Sequence, residues 1–316
     1  MAEQTSPEEV ATAWLAAMRR GDWEQAWRET DRIELPRRWA QAHQAFVRGP
    51  QHLKWDGTAF AGRRVLIRCE HGLGDTLQFI RFVPPISQIA REVHLLVQPQ
   101  LLALLHGAPG LGQVRNAWTD EPPPAHDVEI EVMELAYALR VRMENVPPPY
   151  PHLRERVAGH APAIQLPQGE RRRVGLLWAA SDWDDTRSIP LSALEPLLAV
   201  RGARFFSLQQ GRAARDPLLQ RLPLVSLSHR SREVAAAAAA MLQLDLVITA
   251  DGMPAHLAAT LGRPTWLLLK HEADWRWMEQ RCDTPWYPAM RLFRQPAPDD
   301  WDSVVRAAAR ALTAPG

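Results

Sequence analysis

Val65-Leu66-Ile67-Arg68-Cys69-Glu70-His71-Gly72-Leu73-Gly74-Asp75-Thr76 is the stretch that decides the fold. A short apolar run enters two glycines, and an amphipathic pattern from Thr76 to Phe82 leaves them. The first predicts a strand, the glycines a tight turn, and the second a helix whose first turn carries a carboxylate. Gly72 and Gly74 are expected to permit positive φ and close backbone approach, so that a ligand above the strand meets main-chain N–H groups with Asp75 beside it. Taken alone the pattern more commonly marks a plain helix cap. A dinucleotide fingerprint needs a third glycine and an acid closing the next strand. Leu77 and Val97-Gln98 stand at those places, which argues against a nicotinamide cofactor.

Outward from this turn, strand-like and helix-like stretches alternate: Val93 to Val97, a helix near Leu101 to His106, then Val128 to Val132. Such alternation predicts a parallel sheet wound on both sides. Pro147-Pro148-Pro149-Tyr150-Pro151 and the polar stretch Leu166 to Arg173 interrupt it before Val174-Gly175-Leu176-Leu177-Trp178 restarts it. Apolar runs follow at Phe205 to Leu208, Val225 to Leu227, Leu244 to Thr249 and Thr265 to Leu269, with alanine-rich Arg232 to Leu242 among the helices. The expected fold class is α/β, with two doubly wound Rossmann-like domains, 51–165 and 166–316, facing a cleft. The turns after Cys69, Trp178, Leu208 and Thr249 are expected to line it.

Residues 1–50 are expected to form a helix hairpin. Val10, Trp14, Leu15 and Met18 recur at helical spacing, Arg20-Gly21-Asp22 breaks the pattern, and Trp23 to Asp31 resumes it. Gly21 to Trp27 is similar to the helix junction of a tetratricopeptide repeat. A single such unit needs a neighbour to bury its face, so the hairpin is expected to pack on the rest of the chain.

With 316 residues, 46% hydrophobic and 23% charged, the composition is that of a globular protein of about two domains. A net charge of +1 argues against a dedicated nucleic-acid binder. Arg63-Arg64 and Arg171-Arg172-Arg173 each precede an apolar run and read as solvated strand entrances. Cys69 and Cys282 are too far apart in sequence for a metal or disulfide motif, which suits a reducing compartment. The N-terminus lacks the basic and apolar segments of a leader, and the most apolar run, Val234 to Leu244, is mostly alanine and ends at Asp245. A cytoplasmic protein without a membrane span is expected.

A second constellation follows the run ending at Thr249: Ala250-Asp251-Gly252-Met253-Pro254-Ala255-His256. Pro254 suits the first helical turn and Gly252 an unusual backbone, so free N–H groups and the helix dipole would attract a phosphate. His256 could add a hydrogen bond. The plain alternative is a capped helix with a satisfied histidine.

Together these motifs resemble the glycosyltransferases that accompany tetratricopeptide repeats in bacteria, relatives of the lipopolysaccharide heptosyltransferases in glycosyltransferase family 9. The resemblance spans Trp55 to Trp301. Its parts are Glu70 to Arg81, Val174 to Trp178 with Arg187 to Leu191, Phe206 to Gln209, Asp245 to Ala258, Asp274 to Trp277 with Pro285 to Pro288, and Arg291 to Phe293.

What the resemblance implies is the two-domain GT-B fold, a nucleotide diphospho-sugar donor, and inversion at the anomeric carbon without a metal or other cofactor. Asp75 would be the general base on an acceptor hydroxyl, which demands hydrogen-bond reach. Glu70, His71, Gly72, Gly74 and Gln78 would form the acceptor-side loop. The leaving diphosphate would be held by Arg187, Ser188, Asp251, Gly252, Met253 and His256, an electrostatic form of catalysis. Ser207 and Gln209 would lie near ribose or base. The acceptor would be a saccharide, a lipid-linked group or a protein, and the N-terminal helices could receive a protein partner.

Three features depart from the family pattern: Gly252 where threonine or serine is usual, His71 for glutamine, and the acidic loop Asp182-Trp183-Asp184-Asp185. The loop's Asp-x-Asp pattern reads as solvated. Trp275, Trp277, Trp286 and Tyr287 suit either a stacked ligand or a core, the core being commoner at such spacing. Two other readings remain open: a binding or assembly protein of weakened activity, and a nucleotide-sugar epimerase.

Overall fold

The computed structural model describes residues 6–43, 53–159, 165–167, 169, 171–180 and 184–314. It holds two parallel sheets. The first takes β1 (Arg64–Arg68), β2 (Glu92–Val97), β3 (Val114–Asn116) and β4 (Val128–Glu131) in the order β3-β2-β1-β4. The second takes β5 (Arg172–Leu177), β6 (Ala203–Ser207), β7 (Leu224–Ser226), β8 (Leu246–Ala250), β9 (Thr265–Leu269) and β10 (Met290–Arg294) in the order β10-β9-β8-β5-β6-β7. Every named strand pair is parallel.

Helices cover both faces of such sheets, so their central strands are apolar throughout rather than alternating. Val65, Leu66 and Ile67 of β1 are buried, as is all of β8. Each sheet reverses its winding once, between β1 and β4 and between β5 and β8. Doubly wound sheets bind ligands beyond the carboxyl ends of the strands flanking such a reversal.

The same staple closes the opposite end of each reversal. The Arg64 backbone N–H donates to Asp127 Oδ2 at 2.8 Å while its guanidinium donates to Oδ1 at 2.7 Å, and the Asp127 N–H returns a bond to the Arg64 carbonyl. Arg173 and Asp245 repeat the pattern at 2.8 and 3.0 Å, again with the returned bond. The Arg64 guanidinium and N–H hold the Asp127 carboxyl down to about 2, and Arg173 likewise lowers Asp245. The basic residues read as strand entrances therefore join neighbouring strands.

Two compact units emerge, one of residues up to Tyr150 with Asp274–Gln280, the other of Pro151–Ala273 with the chain from Arg281 onward. The division falls within the proline passage, earlier than residue 165. The helix His152–Ala158 packs in the second unit against Val234–Leu242. Asp274–Gln280, expected in the second domain, packs with the first.

The first helix, Pro7–Arg20, starts from a Ser6 cap reciprocated by Glu9 and stops at Gly21, whose φ of 81° is left-handed. The second, Trp23–His43, is longer than the pattern to Asp31 suggests, and the expected boundary of the hairpin segment at residue 50 lies outside the described residues. Trp27 Nε1 donates to the Val141 carbonyl at 2.7 Å, and Asp31 accepts from Tyr137 at 2.7 Å and from Arg140. The first helix also meets Asp274–Gln280: Trp14 and Trp275 pack edge to face at 5.2 Å, and the Glu279 N–H donates to the Arg19 carbonyl. The helix pair is thus packed on the first unit.

Candidate functional site

In the first unit the loop after β1 passes Cys69, Glu70 and His71 to the helix Leu73–Phe79. Gly72 has φ −69° and ψ 158°, and Gly74 lies within the helix, so neither supplies the positive φ expected of it. Gly72 is suited to its place for another reason. A Cβ there would sit 3.0 Å from Asp75 Oδ2, the atom that accepts the Gly72 N–H at 2.9 Å.

The other Asp75 oxygen, Oδ1, accepts from Arg276 Nη2 at 2.7 Å. Arg276 belongs to the short turn Trp275–Trp277, whose start is capped by Asp274 accepting the Arg276 N–H at 3.0 Å. Asp75 is therefore a helix cap and half of an ion pair at once, with side chains 20% and 12% exposed for Asp75 and Arg276. The sequence places Arg276 in a motif but gives it no role.

Gln98, at the end of β2, fixes the turn by accepting from Thr76 at 3.1 Å and donating to the His71 carbonyl at 2.7 Å. His71 is exposed, 3.9 Å from Glu131 Oε2. Burial pushes the Glu131 carboxyl up, although its bond from the Met133 N–H works against that. Glu70 is exposed beside Arg68 at 3.8 Å. Burial pushes the Cys69 thiol up to about 12, so it is not a reactive nucleophile. Gln78 departs from its expected place on an accessible loop: it lies in the helix, wholly buried, and its amide O and N have no hydrogen-bond partner among the described residues.

In the second unit, β8 leads through Asp251 and Gly252 to the helix Met253–Thr260, with Pro254 in its first turn. Gly252, at φ 166°, is extended backbone that any residue adopts, and an added Cβ would meet only Pro254 Cδ at 3.7 Å. The unusual backbone expected there is absent. Arg187, from the loop after β5, donates through Nη1 to the Asp251 carbonyl at 3.2 Å, which ties it to this helix start. Asp251 is 7% exposed, while Met253 in the first turn is half-buried.

Asp184 Oδ2 lies 3.3 Å from Arg187 Nε and 3.0 Å from Lys270 Nζ. Thr186 also donates to Asp184 and stands 2.8 Å from Lys270 Nζ. Lys270, directly after β9, is the cation that sequence reasoning missed, because nothing local marks it. Asp182 and Trp183 of the acidic loop lie outside the described residues, and Asp185 is exposed.

Other expected donor contacts are engaged inside the fold. Gln209 Oε1 accepts the N–H groups of Trp178 and Ala179 at 3.0 and 2.9 Å, and its Nε2 donates to the carbonyls of Ala179 and Gln210. Ser207 accepts the Gln209 N–H at 3.2 Å. Both are buried and shape the turns after β5 and β6. Ser188 accepts the Ala180 N–H at 3.0 Å and closes the loop of Arg187. His256 is buried with Nδ1 3.0 Å from Tyr287 Oη. Trp277, Trp286 and Tyr287 are core residues, as the plainer reading has it. Among the described residues no three His, Cys, Asp or Glu side chains group to hold a metal ion, and no helix is long and apolar enough to cross a membrane.

The architecture is thus a pair of doubly wound parallel α/β sheets whose candidate residues stand at the carboxyl ends of strands flanking each reversal. Solved structures that share it are glycosyltransferases. The chain is similar to E. coli heptosyltransferase WaaC with ADP-2-deoxy-2-fluoro heptose, with a TM-score of 0.54 at 14% identity over 79% of this chain and 97% of that one. A glycosyl transferase family 9 protein from Veillonella parvula gives 0.53 at 10% identity, covering 75% and 87%. The iron-containing dodecameric glycosyltransferase TibC from enterotoxigenic E. coli gives 0.54 at 12% identity, covering 81% and 76%. At these identities the likeness shows a common fold. In sequence, Protein FlbA of Caulobacter vibrioides is 26% identical over 292 residues, 82% of this chain and 48% of that protein, so the chain spans about half the length of this relative. No protein-family model matches the chain.

Proposed function

We propose that this chain is an inverting, metal-independent glycosyltransferase that moves a sugar from a nucleotide diphospho-sugar to an acceptor hydroxyl. The observation that carries the reading is the placement of Asp75 and of the Arg187–Asp251 pair at the two winding reversals, one in each sheet. Neighbours of the same fold are glycosyltransferases, and one of them, heptosyltransferase WaaC, is seen with an ADP-heptose analogue.

On this reading the Asp75 carboxylate accepts the proton of the acceptor hydroxyl as its oxygen attacks the anomeric carbon from the face opposite the leaving group. The departing nucleoside diphosphate gains negative charge. N–H groups at the start of Met253–Thr260 and the Arg187 guanidinium stabilise that charge without reorganising. Asp251 contributes its carbonyl by holding Arg187, and His256 with Tyr287 fixes the helix beneath. The helix pair, the cytoplasm as working compartment, and an acceptor that is a saccharide, a lipid-linked group or a protein belong to the same reading.

The test is release of nucleoside diphosphate from a panel of ADP-, GDP-, UDP- and CDP-sugars by the wild type, Asp75→Asn and Arg187→Ala. Turnover with one donor, lost in Asp75→Asn while donor binding persists, supports the assignment. Equal turnover in Asp75→Asn removes Asp75 as base, and no binding of any nucleotide removes the transferase. One observation favours a second reading, a binding protein without turnover: Arg276 already occupies Asp75 Oδ1. That protein would bind a nucleotide sugar and release nothing.

A further inference from the structure

Arg154 and Arg263 bring two guanidinium groups together at the amino-terminal end of the second sheet, on the side of the Arg173–Asp245 staple and away from Asp251. Arg154 belongs to the helix His152–Ala158, and Arg263 stands in the corner between the helix Met253–Thr260 and β9. The corner is fixed, since the Gly262 and Arg263 N–H groups donate to the Ala259 and Ala258 carbonyls at 3.0 and 2.9 Å. Arg154 lies over it: an added Cβ on Gly262 would sit 3.3 Å from Arg154 Nη1. The Arg263 hydrogen bond goes to a neutral group, from Nη1 to the Leu244 carbonyl at 3.3 Å, and its Nε is buried without a partner among the described residues. The acids nearby are engaged elsewhere. Asp245 binds Arg173 through both oxygens, and Glu155, next to Arg154, stands 3.2 Å from His152 Nδ1.

Burial lowers the Arg263 guanidinium below its ordinary value and the Arg154 and Arg173 charges lower it further, against which Asp245 works only in part. Arg154, Arg173 and Arg263 carry three positive charges against the single negative charge of Asp245, and Arg172 adds another beside that carboxylate. The end of the helix Met253–Thr260 supplies about half a negative charge, which draws one guanidinium to this corner but does not neutralise two. Like charges converging from separate elements repel unless an anion lies between them.

We infer that Arg154 and Arg263 form a phosphate-binding site at the amino-terminal end of the second sheet, which takes a phosphate group either free or as a phosphomonoester. A phosphate dianion matches the two uncompensated charges, and its oxygens accept from two planar guanidinium forks at once. Bound there, it fastens the first helix of the second unit to the corner before β9 and so stabilises that unit. The site goes beyond the proposed transferase, whose donor contacts lie at the other end of the strands, and it does not depend on that reading.

The experiment is titration of the full-length protein with orthophosphate and with glycerol 3-phosphate, by calorimetry and by thermal melts, at an ionic strength matched with potassium chloride. Arg154→Gln and Arg263→Gln are each made in the wild type and in Arg187→Ala, which removes the cation of the proposed donor site. Orthophosphate at ten times its Kd is expected to raise the melting temperature of the wild type and of Arg187→Ala by about 2–4 °C, and chloride to leave it unmoved. Each glutamine is expected to weaken phosphate at least about tenfold in both backgrounds. Arg154 is exposed, so without phosphate Arg154→Gln is expected to melt within about 1 °C of its parent, which separates lost binding from lost folding. Tighter binding of glycerol 3-phosphate than of orthophosphate identifies the ligand as a phosphomonoester, and the reverse as free phosphate. Unchanged phosphate affinity in Arg154→Gln overturns the inference, as does a folded Arg187→Ala that binds neither probe, or an equal rise in melting temperature from chloride. Sugar turnover enters none of these readouts, so loss of the transferase reading leaves this site standing and loss of the site leaves the transferase standing.

Discussion

Arg276 Nη2 donates to Asp75 Oδ1 at 2.7 Å across 201 positions of sequence, and the other oxygen of the same carboxylate caps its own helix through the Gly72 N–H. The pair sits in a setting that shields it from water, so removing one partner leaves a poorly solvated charge. Arg276→Ala is expected to lower stability by about 1–2 kcal/mol, a melting shift of roughly 3–6 °C, and Arg276→Lys to recover only part of it because the planar fork is lost. Turnover separates positioning from mere stability. Asp75→Asn should cut kcat by about 10²–10⁴ with KM for the donor little changed, and Arg276→Ala should lower kcat with partial rescue by added guanidinium. Full activity in Arg276→Ala would show that the pair only fastens the segment Asp274–Gln280.

Gln78 carries a different consequence. Its amide is buried with neither atom hydrogen-bonded among the described residues, an arrangement that costs about 1–3 kcal/mol. Methionine is nearly the same length and volume. Gln78→Met is expected to raise the melting temperature by several degrees, read by calorimetry. A fall instead would mean that the amide is satisfied in solution by a buried water.

Much of this fold is legible because parallel strands buried on both faces announce themselves as apolar runs, as in Val65–Ile67 and Leu246–Ile248. The strand β3 is not, since Val114-Arg115-Asn116 is too short and too polar to separate from a loop. The site divides in the same way. Asp75 and the start of Met253–Thr260 follow from local glycine and strand patterns. The partners that set their electrostatics, Arg276 and Lys270, lie 201 and 86 residues from the carboxylates they meet, beyond the reach of any local pattern. Gln209 shows the same limit: its amide supplies backbone partners to the turn at Trp178 and Ala179, 31 and 30 residues away, which no local pattern announces.

At Gly252 the extended backbone and the ordinary 3.7 Å contact an added Cβ would make with Pro254 Cδ remove any need for glycine. Gly252→Ser is expected to fold with stability within about 0.5 kcal/mol of the wild type. Its hydroxyl would also stand at the N-cap, where serine is favoured, and beside the proposed diphosphate. Affinity for the nucleoside diphosphate should rise by about threefold to tenfold in titration. A destabilised variant with unchanged affinity would place the diphosphate away from this helix start.

The paired staples Arg64–Asp127 and Arg173–Asp245 make stability fall in acid within a defined window. Asp127 is held down to about 2 when folded, against about 4 for a free carboxyl in the unfolded chain. A depressed folded value means that the unfolded state takes up a proton first, so the charged pair contributes its full stability above about pH 4 and loses it as the pH falls toward about 2. Asp127→Asn keeps an oxygen for the Arg64 N–H but removes the charge. The variant should therefore melt below the wild type at neutral pH, and the two curves should converge between about pH 4 and 2. Asp245→Asn should behave in the same direction, since Arg173 lowers that carboxyl too. Melting temperatures that stay separated by a constant amount down to about pH 2 would show that shape rather than charge holds these strand entrances together.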